Sequence, residues 1–222
     1  MSRWSTLEKT LRAQGVRHIA GVDEVGRGPF AGPVVACAIV MPAGARAISG
    51  VADSKTLDAS ERLRLAALIR AGAVTFSLGA ASVREIAEMN ILQATSLAMR
   101  RALARVDRAL ASQGAQLDAV IIDGKPMATL GRAHTAVVKG DSKVYAIACA
   151  SIVAKVARDR LMRALGRRYP GYGWERNAGY GTPLHIEGLR RLGLTPHHRE
   201  LFCRRALSGE GRGQGRGEAG AG

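Results

Sequence analysis

The chain reads as an α/β protein built around one main domain, and three observations predict it. At 222 residues it has the length of one generous domain rather than two. With 47% hydrophobic and 23% charged residues it holds enough apolar surface for a core. Short apolar runs of strand length also alternate with longer segments of helical period along its length.

In order, residues 18–25 and 33–41 are β-branched or small-residue runs separated by Gly26-Arg27-Gly28-Pro29, which reads as an early hairpin. Asp58-Ala-Ser-Glu61 has capping-box spacing before a helix reaching about Arg70, and Ser82-Val-Arg-Glu85 repeats the device before a shorter helix. Between them, 74–78 reads as a strand. Residues 91–111 form one long amphipathic helix with Arg100, Arg101, Arg105 and Arg108 off the apolar face and a stop at Gly114. Short strands follow at 119–122, ending on Asp123-Gly124, and at 136–138, ending near Lys139-Gly140-Asp141. A second long helix runs from about Val144 to Arg168, where Tyr169-Pro170-Gly171 breaks it. Thr182-Pro183 and Thr195-Pro196 each place an N-cap before a first-turn proline and predict two final helices. The expected organisation is one domain over 1–207 with a helical C-terminal lobe from about residue 158, followed by a disordered Gly-rich tail over 208–222.

The 33 Lys and Arg against 18 Asp and Glu give a net charge of +15, a field that attracts polyanions and makes nucleic acid the leading partner class. Between Arg158 and Arg205 stand eleven Arg and four acids, a local balance of +7, so the C-terminal lobe is the basic one. Cys37, Cys149 and Cys203 have no C-x-x-C pairing, and the first two lie in small apolar runs, which fits free thiols in a reducing cytoplasm. The first 14 residues are charged at intervals and 33–41 is too short to cross a bilayer, so neither secretion nor membrane insertion is expected.

Asp23 and Glu24 interrupt an otherwise apolar strand, and their adjacency sends the two side chains to opposite faces. With Asp123 and Asp141 at the ends of later strands, four carboxylates can meet at one edge of a sheet, where they would repel one another without a cation. Hard oxygen ligands suit Mg²⁺ or Mn²⁺, and no His or Cys pair has zinc spacing. Taken singly each acid is equally a surface or capping residue, and Asp123-Gly124 is ordinary turn chemistry. Gly26-Arg27-Gly28 is a plain tight turn, or a place where backbone approaches a phosphate or sugar while Arg27 pairs with a phosphate oxygen. Asp159 reads as an exposed or helix-pairing acid, and His185, His197 and His198 as solvated or capping histidines outside the catalytic set.

Six stretches in this order, Gly21-Val-Asp-Glu-Val-Gly-Arg-Gly-Pro, Asp53-Ser-Lys-Thr-Leu, Ile121-Ile-Asp-Gly-Lys, Lys139-Gly-Asp-Ser-Lys, Ala150-Ser-Ile-Val-Ala-Lys-Val-Ala-Arg-Asp and Gly179-Tyr-Gly-Thr, resemble the ribonuclease HII family from about His18 to Arg205. The resemblance implies a ribonuclease H-like fold: a mixed β-sheet flanked by helices, with a helical C-terminal extension over the substrate groove. It implies a metal-dependent endoribonuclease that hydrolyses the RNA strand of RNA–DNA hybrids and cuts 5′ to ribonucleotides embedded in duplex DNA, leaving 5′-phosphate and 3′-hydroxyl ends. A role in genome repair follows from that activity.

By the same resemblance Asp23, Glu24, Asp123 and Asp141 are the catalytic metal-binding quartet, holding two Mg²⁺ or Mn²⁺ ions. Gly26, Arg27 and Gly28 form the substrate turn, Tyr180 lies beside the ribonucleotide, and Lys55 contacts a phosphate or forms a surface salt bridge with Asp53. Ser142, Ser151 and Lys155 match motif positions with no assigned role. Where relatives often carry Lys before the Gly-Tyr pair, this chain has Ala178, which removes one auxiliary phosphate contact. A monomer acting on hybrids and ribonucleotide-containing duplexes, with no membrane partner, is expected; no terminal motif speaks for a replication clamp. Two rivals differ by test. Ribonuclease HIII would need an added N-terminal domain that the segment before Asp23 is too short to supply. A non-catalytic duplex-binding module would bind a hybrid without chelator-sensitive cleavage.

Overall fold

The computed structural model describes residues 4–52, 54–55 and 57–208. Its strands are β1 (Ile19–Val25), β2 (Val34–Val40), β3 (Thr75–Ala81), β4 (Ala119–Asp123) and β5 (Thr135–Val137). Its helices are α1 (Thr6–Ala13), α2 (Ala59–Gly72), α3 (Val83–Ala111), α4 (Tyr145–Arg168), α5 (Trp174–Asn177), α6 (Pro183–Leu192) and α7 (Glu200–Leu207). No described helix is long and apolar enough to cross a membrane.

The chain divides into two compact units. The first holds residues up to Arg27 and Pro33–Arg160; the second holds Gly28–Gly32 and the chain from Leu161. In the first, five strands pair in the order β3-β2-β1-β4-β5, so the expected mixed sheet is present. β1 and β2 form the expected hairpin, antiparallel with Asp23 opposite Cys37, while β1 runs parallel to β4 with Val22 opposite Ile122. β4 in turn runs parallel to β5.

Strand alternation sorts the core. Ala20, Val22, Ala36, Ala38, Val120 and Ile122 pack with Ala98, Met99, Leu103 and Val106 of α3 on one face. Cys37 and Ile39 pack with Leu65 and Ile69 of α2 and with Cys149 and Ile152 of α4 on the other. Next to them Ile19 and Ile121 meet Val144 and Ile147. At Gly21 strand and helix touch backbone to backbone, because an added Cβ would lie 2.2 Å from the carbonyl carbon of Ala146. That contact seats α4 directly against β1.

The caps read from sequence are present where the side chains can reach. Ser82 and Glu85 close a complete capping box, and Asp58 accepts from the Glu61 amide. α3 is two helices joined at Asn90 (φ 71°, ψ 167°), whose side chain accepts from the Leu92 and Gln93 amides and so caps the second segment. This matches the separate helices expected after Ser82 and from Ile91. The sequence reading misses α1, although Ser5 and Glu8 form a capping box of the same kind.

In the second unit Ala31, Met162, Tyr172, Trp174, Leu189 and Cys203 form a separate core. Thr182 caps α6 with Pro183 in its first turn, as expected. The helix expected from Thr195-Pro196 is a correction. The Thr195 hydroxyl accepts from the His197 amide and its own amide donates to His198 Nδ1, which closes a turn, and α7 begins only at Glu200. Residues 209–222, read from sequence as a disordered tail, lie outside the described residues.

Candidate active site

The carboxyl ends of β1 and β4 lie side by side. In the parallel register that pairs Val22 with Ile122, Asp23 and Asp123 each come next on adjacent strands, so their backbones stand about 5 Å apart. Alternation turns both toward the α4 face, the side of Cys37, and turns Glu24 the other way, as adjacency in a strand requires. Asp123 Oδ1 accepts from the Gly140 amide at 2.6 Å. That bond brings the loop after β5, and with it Asp141, to the same edge of the sheet. The carboxyl edge of parallel strands is where α/β folds commonly carry their chemistry.

Burial, reinforced by the charges of Glu24 and Asp123, holds the Asp23 carboxyl well above the usual range, with a hydrogen bond from Ser151 opposing the shift. Glu24 is raised too, first by burial and further by Asp123, while Arg27 at 3.2 Å pulls it back. Asp141 is buried and ion-paired with the exposed Lys55 at 3.3 Å. The gathering of four acids is therefore partial. Asp23 feels the charges of Glu24 and Asp123, and Glu24 feels that of Asp123, while Asp141 turns to Lys55; among the described residues no three His, Cys, Asp or Glu side chains stand close enough to hold a metal ion as they are. The donor set nevertheless suits a hard divalent cation. It consists of carboxylate oxygens gathered at one sheet edge, and two of the acids, Glu24 and Asp141, already attract a cationic side chain.

Gly26 follows β1 directly with φ +94°, and an added Cβ would lie 2.1 Å from Nε of Arg158. That guanidinium is fully buried and donates to the Pro33 carbonyl at 3.0 Å, so it underlies both ends of the β1–β2 connection. Arg27 is half exposed beside Glu24. In the second unit a methyl on Gly28 would lie 3.7 Å from the Tyr180 ring, so that ring covers the last glycine of the turn.

A family model described as ribonuclease HII matches residues 20–205. The chain belongs to the ribonuclease HII family. It is accordingly a divalent-metal-dependent ribonuclease, a hydrolase of the family that degrades the RNA of RNA–DNA hybrids. A ribonuclease HII of Thermosynechococcus vestitus is 50% identical over 204 residues, 91% of this chain and 92% of the relative. The crystal structure of a ribonuclease H2 from Pyrococcus horikoshii superposes with a TM-score of 0.66 at 25% identity, covering 86% of this chain and 97% of that one. The structure of Bst ribonuclease HIII in complex with Mn²⁺ gives 0.71 at 22% identity over 95% of this chain and 75% of that one, a likeness of fold.

Several residues take places the sequence did not reveal. Ser151, left without a role, hydrogen-bonds Asp23 and shares a buried hydroxyl pair with Ser54 at 2.9 Å. Lys55 pairs with Asp141, 86 residues away; Asp53, its other candidate partner, lies outside the described residues. Asp159 pairs along α4 with Lys155 at 2.7 Å, as expected of a helix-pairing acid. Ala178 adopts a left-handed conformation (φ 49°, ψ 30°) at the end of α5. His185 and His198 are neither solvated nor capping but buried. Of the eleven arginines in the basic lobe, Arg158 and Arg199 are buried as well, the latter donating to the Gly32 carbonyl at 2.7 Å. Apart from the Asp159–Lys155 pair these placements depend on tertiary contacts, and only Ser151 and Lys55, inside motifs, carried any signal.

Proposed function

We propose that this chain is an endoribonuclease that cuts the RNA strand of RNA–DNA duplexes and incises 5′ to single ribonucleotides in DNA, leaving 5′-phosphate and 3′-hydroxyl ends. The observation that carries the reading is the placement of Asp23 and Asp123 on one face at the carboxyl ends of adjacent parallel strands, with the Gly26-Arg27-Gly28 turn following at once. Two Mg²⁺ or Mn²⁺ ions held by Asp23, Glu24, Asp123 and Asp141 would activate the attacking water and stabilise the departing 3′ oxygen.

The chain's own residues do the rest. Ser151 orients Asp23, and the Gly140 amide orients Asp123. Arg27 offsets the charge of Glu24 and, when substrate is bound, pairs with a phosphate oxygen. Lys55 holds Asp141 in the absence of substrate and contacts a phosphate in its presence. The glycine backbone hydrogen-bonds the 2′-hydroxyl, the group that separates ribose from deoxyribose, while the Tyr180 ring packs on the adjacent sugar. A deoxynucleotide at that place leaves polar groups unpaired, at about 1–3 kcal/mol each.

The test uses Asp23→Asn and Asp123→Asn on a labelled duplex with one embedded ribonucleotide. Cleavage is expected to vanish in both variants while duplex binding stays measurable, and the unaltered chain is expected to cut only on the 5′ side of the ribonucleotide. Near-normal turnover of either variant at saturating Mg²⁺ would falsify the assignment.

A further inference from the structure

Within the second unit, three buried side chains form a hydrogen-bonded chain that ends on the backbone of Tyr180. His185 Nδ1 stands 2.9 Å from the Tyr180 carbonyl, which can only accept, so Nδ1 carries the hydrogen. Nε2 of the same ring then has the lone pair and accepts from Trp174 Nε1 at 3.0 Å. His198 Nδ1 receives the Thr195 amide at 2.8 Å, so its Nε2 carries the hydrogen and donates to His185 Nε2 at 3.1 Å. The one lone pair of His185 Nε2 is shared between the two donors, with both imidazoles neutral.

The Tyr180 carbonyl also accepts from the Thr182 amide at 2.8 Å, and the Tyr180 amide donates to the Asn177 carbonyl at 2.9 Å. With both lone pairs of its carbonyl engaged, the peptide plane after Tyr180 is fixed. Gly181 cannot carry a side chain, since an added Cβ would lie 2.2 Å from the Phe30 ring. The Tyr180 ring itself stays exposed, at 46%, over Gly28. The side chain that meets solvent is thus aimed by its main chain, and the main chain is held from beneath by an imidazole pair that no step of the proposed reaction uses.

We propose that His185, locked by Trp174 and His198, is a positioning residue for Tyr180, so that incision at a single ribonucleotide depends on this buried pair. The inference rests on the reading of Tyr180 as the ribose-facing ring. Its consequence is selective. A continuous hybrid offers neighbouring riboses and 2′-hydroxyls over its whole length, whereas a lone ribonucleotide offers one sugar, and a tilted ring misses it.

Two amide variants separate positioning from packing. In His185→Asn the amide nitrogen stands near the place of Nδ1 and still donates to the Tyr180 carbonyl. In His185→Gln it stands near the place of Nε2 and leaves that carbonyl without its imidazole donor. Misplacing a contact group by a fraction of an ångström to 1 Å costs up to about 100-fold in rate. The expected result is that Gln lowers kcat/KM on the single-ribonucleotide duplex about tenfold more than on a continuous hybrid, while Asn keeps the ratio of the two substrates within about twofold of the unaltered chain. In a Tyr180→Ala background the selective effect of Gln should disappear. If Gln fails to fold, Trp174→Phe, which removes one of the two donors to His185 Nε2, should shift the ratio in the same direction. Equal losses on both substrates in all variants, accompanied by lowered melting temperatures, would overturn the inference and leave a purely structural network. A Tyr180→Ala single variant with an unchanged ratio would instead overturn the reading of Tyr180, and this inference with it. A shifted ratio in Tyr180→Ala alone, with none in His185→Gln or Trp174→Phe, would overturn only the inference.

Discussion

Replacing Glu8 probes how the N-terminal helix anchors the catalytic unit. This carboxylate is fully buried and receives four donors: the Ser5 amide at 2.8 Å, the Ser5 hydroxyl at 2.6 Å, the Tyr145 amide at 3.2 Å and the Ala146 amide at 2.9 Å. It thus caps α1 and, 137 residues later, supplies the anion at the start of α4. In Glu8→Gln one oxygen becomes an NH₂ group, so at least one amide faces a donor. Loss of a bond to a charged acceptor costs about 1.5–3 kcal/mol. Weakening of the remaining bonds and of the helix-terminus interaction adds roughly 1 kcal/mol. Relief from burying a charge offsets part of this, leaving a net loss of about 2–3 kcal/mol. Glu8→Ala leaves all four donors unanswered and should cost about 4 kcal/mol. For a chain of this size about 2–4 °C of melting temperature is lost per kcal/mol, so circular dichroism at pH 7 should show Gln melting about 5–10 °C lower. Cleavage well below the transition should stay near normal, because Glu8 touches none of the four acids. A Gln variant melting within about 1 °C of the unaltered chain would refute the argument that this one carboxylate holds α4 to the N-terminal helix.

Other outcomes follow from the same contacts. Gly26→Ala combines a positive φ with a Cβ 2.1 Å from the buried Arg158 Nε, so it should cost about 3 kcal/mol and most of the activity; a thermally neutral, active variant would show that the turn does not rest on Arg158. His198 is pushed down to about 4 from 6.5, chiefly by burial and further by the facing His185 and His197, with the neutral Tyr172 and Trp174 rings also against it. The unfolded chain therefore binds more protons between those values, and stability is full above about pH 6.5 and falls as the pH drops toward about 4, by roughly 2 kcal/mol after allowance for partial solvent access. Denaturant midpoints at pH 7 and 5 that do not differ, or differ equally in His198→Gln, would contradict this. Among the described side chains of the lobe, counted with Arg160, eight arginines are exposed; if half neutralise phosphates, log affinity against log salt has a slope steeper than about −3, and a flat profile would remove them from the substrate path.

Much of the sheet was legible because its signals are local. The Ile19–Val25 and Val34–Val40 runs flank a Gly-Arg-Gly turn, and Asp123 closes an apolar run that could be nothing longer than a strand. Ser82 marks a helix start through its own side chain, whereas the cap at Asn90 was not read. The same device at Ser5 passed unread because α1 has only eight residues, too few to repeat an apolar period. Thr195 carried a false start, since its hydroxyl and amide serve a turn and an imidazole rather than a helix. The acids were legible as residue types interrupting or ending strands, yet their partners were not. Lys55 meets Asp141 across 86 positions, and Arg158 reaches Pro33 across 125. Such pairings are products of topology, which no window of sequence contains. The imidazole pair was hidden for the same reason, compounded by the general rarity of buried histidine networks in helical segments.

The parallel pairing of β1 with β4 has a consequence for synthesis. Ile19 waits for Ala119, so the strand that carries Asp23 is made 100 residues before the one that carries Asp123. At about 5–20 residues per second this is an interval of roughly 5–20 s. During it β1, β2 and β3 can assemble from neighbouring segments with α3 against them, while the outer side of β1 remains an unpaired, largely apolar edge. A nascent chain halted in that interval carries Asp23 and Glu24 on a strand still open to other strands. Arrival of β4 therefore does two things at once: it covers an edge prone to aggregation and brings Asp123 beside Asp23, so the growing polypeptide gathers these acids only when it loses that open edge.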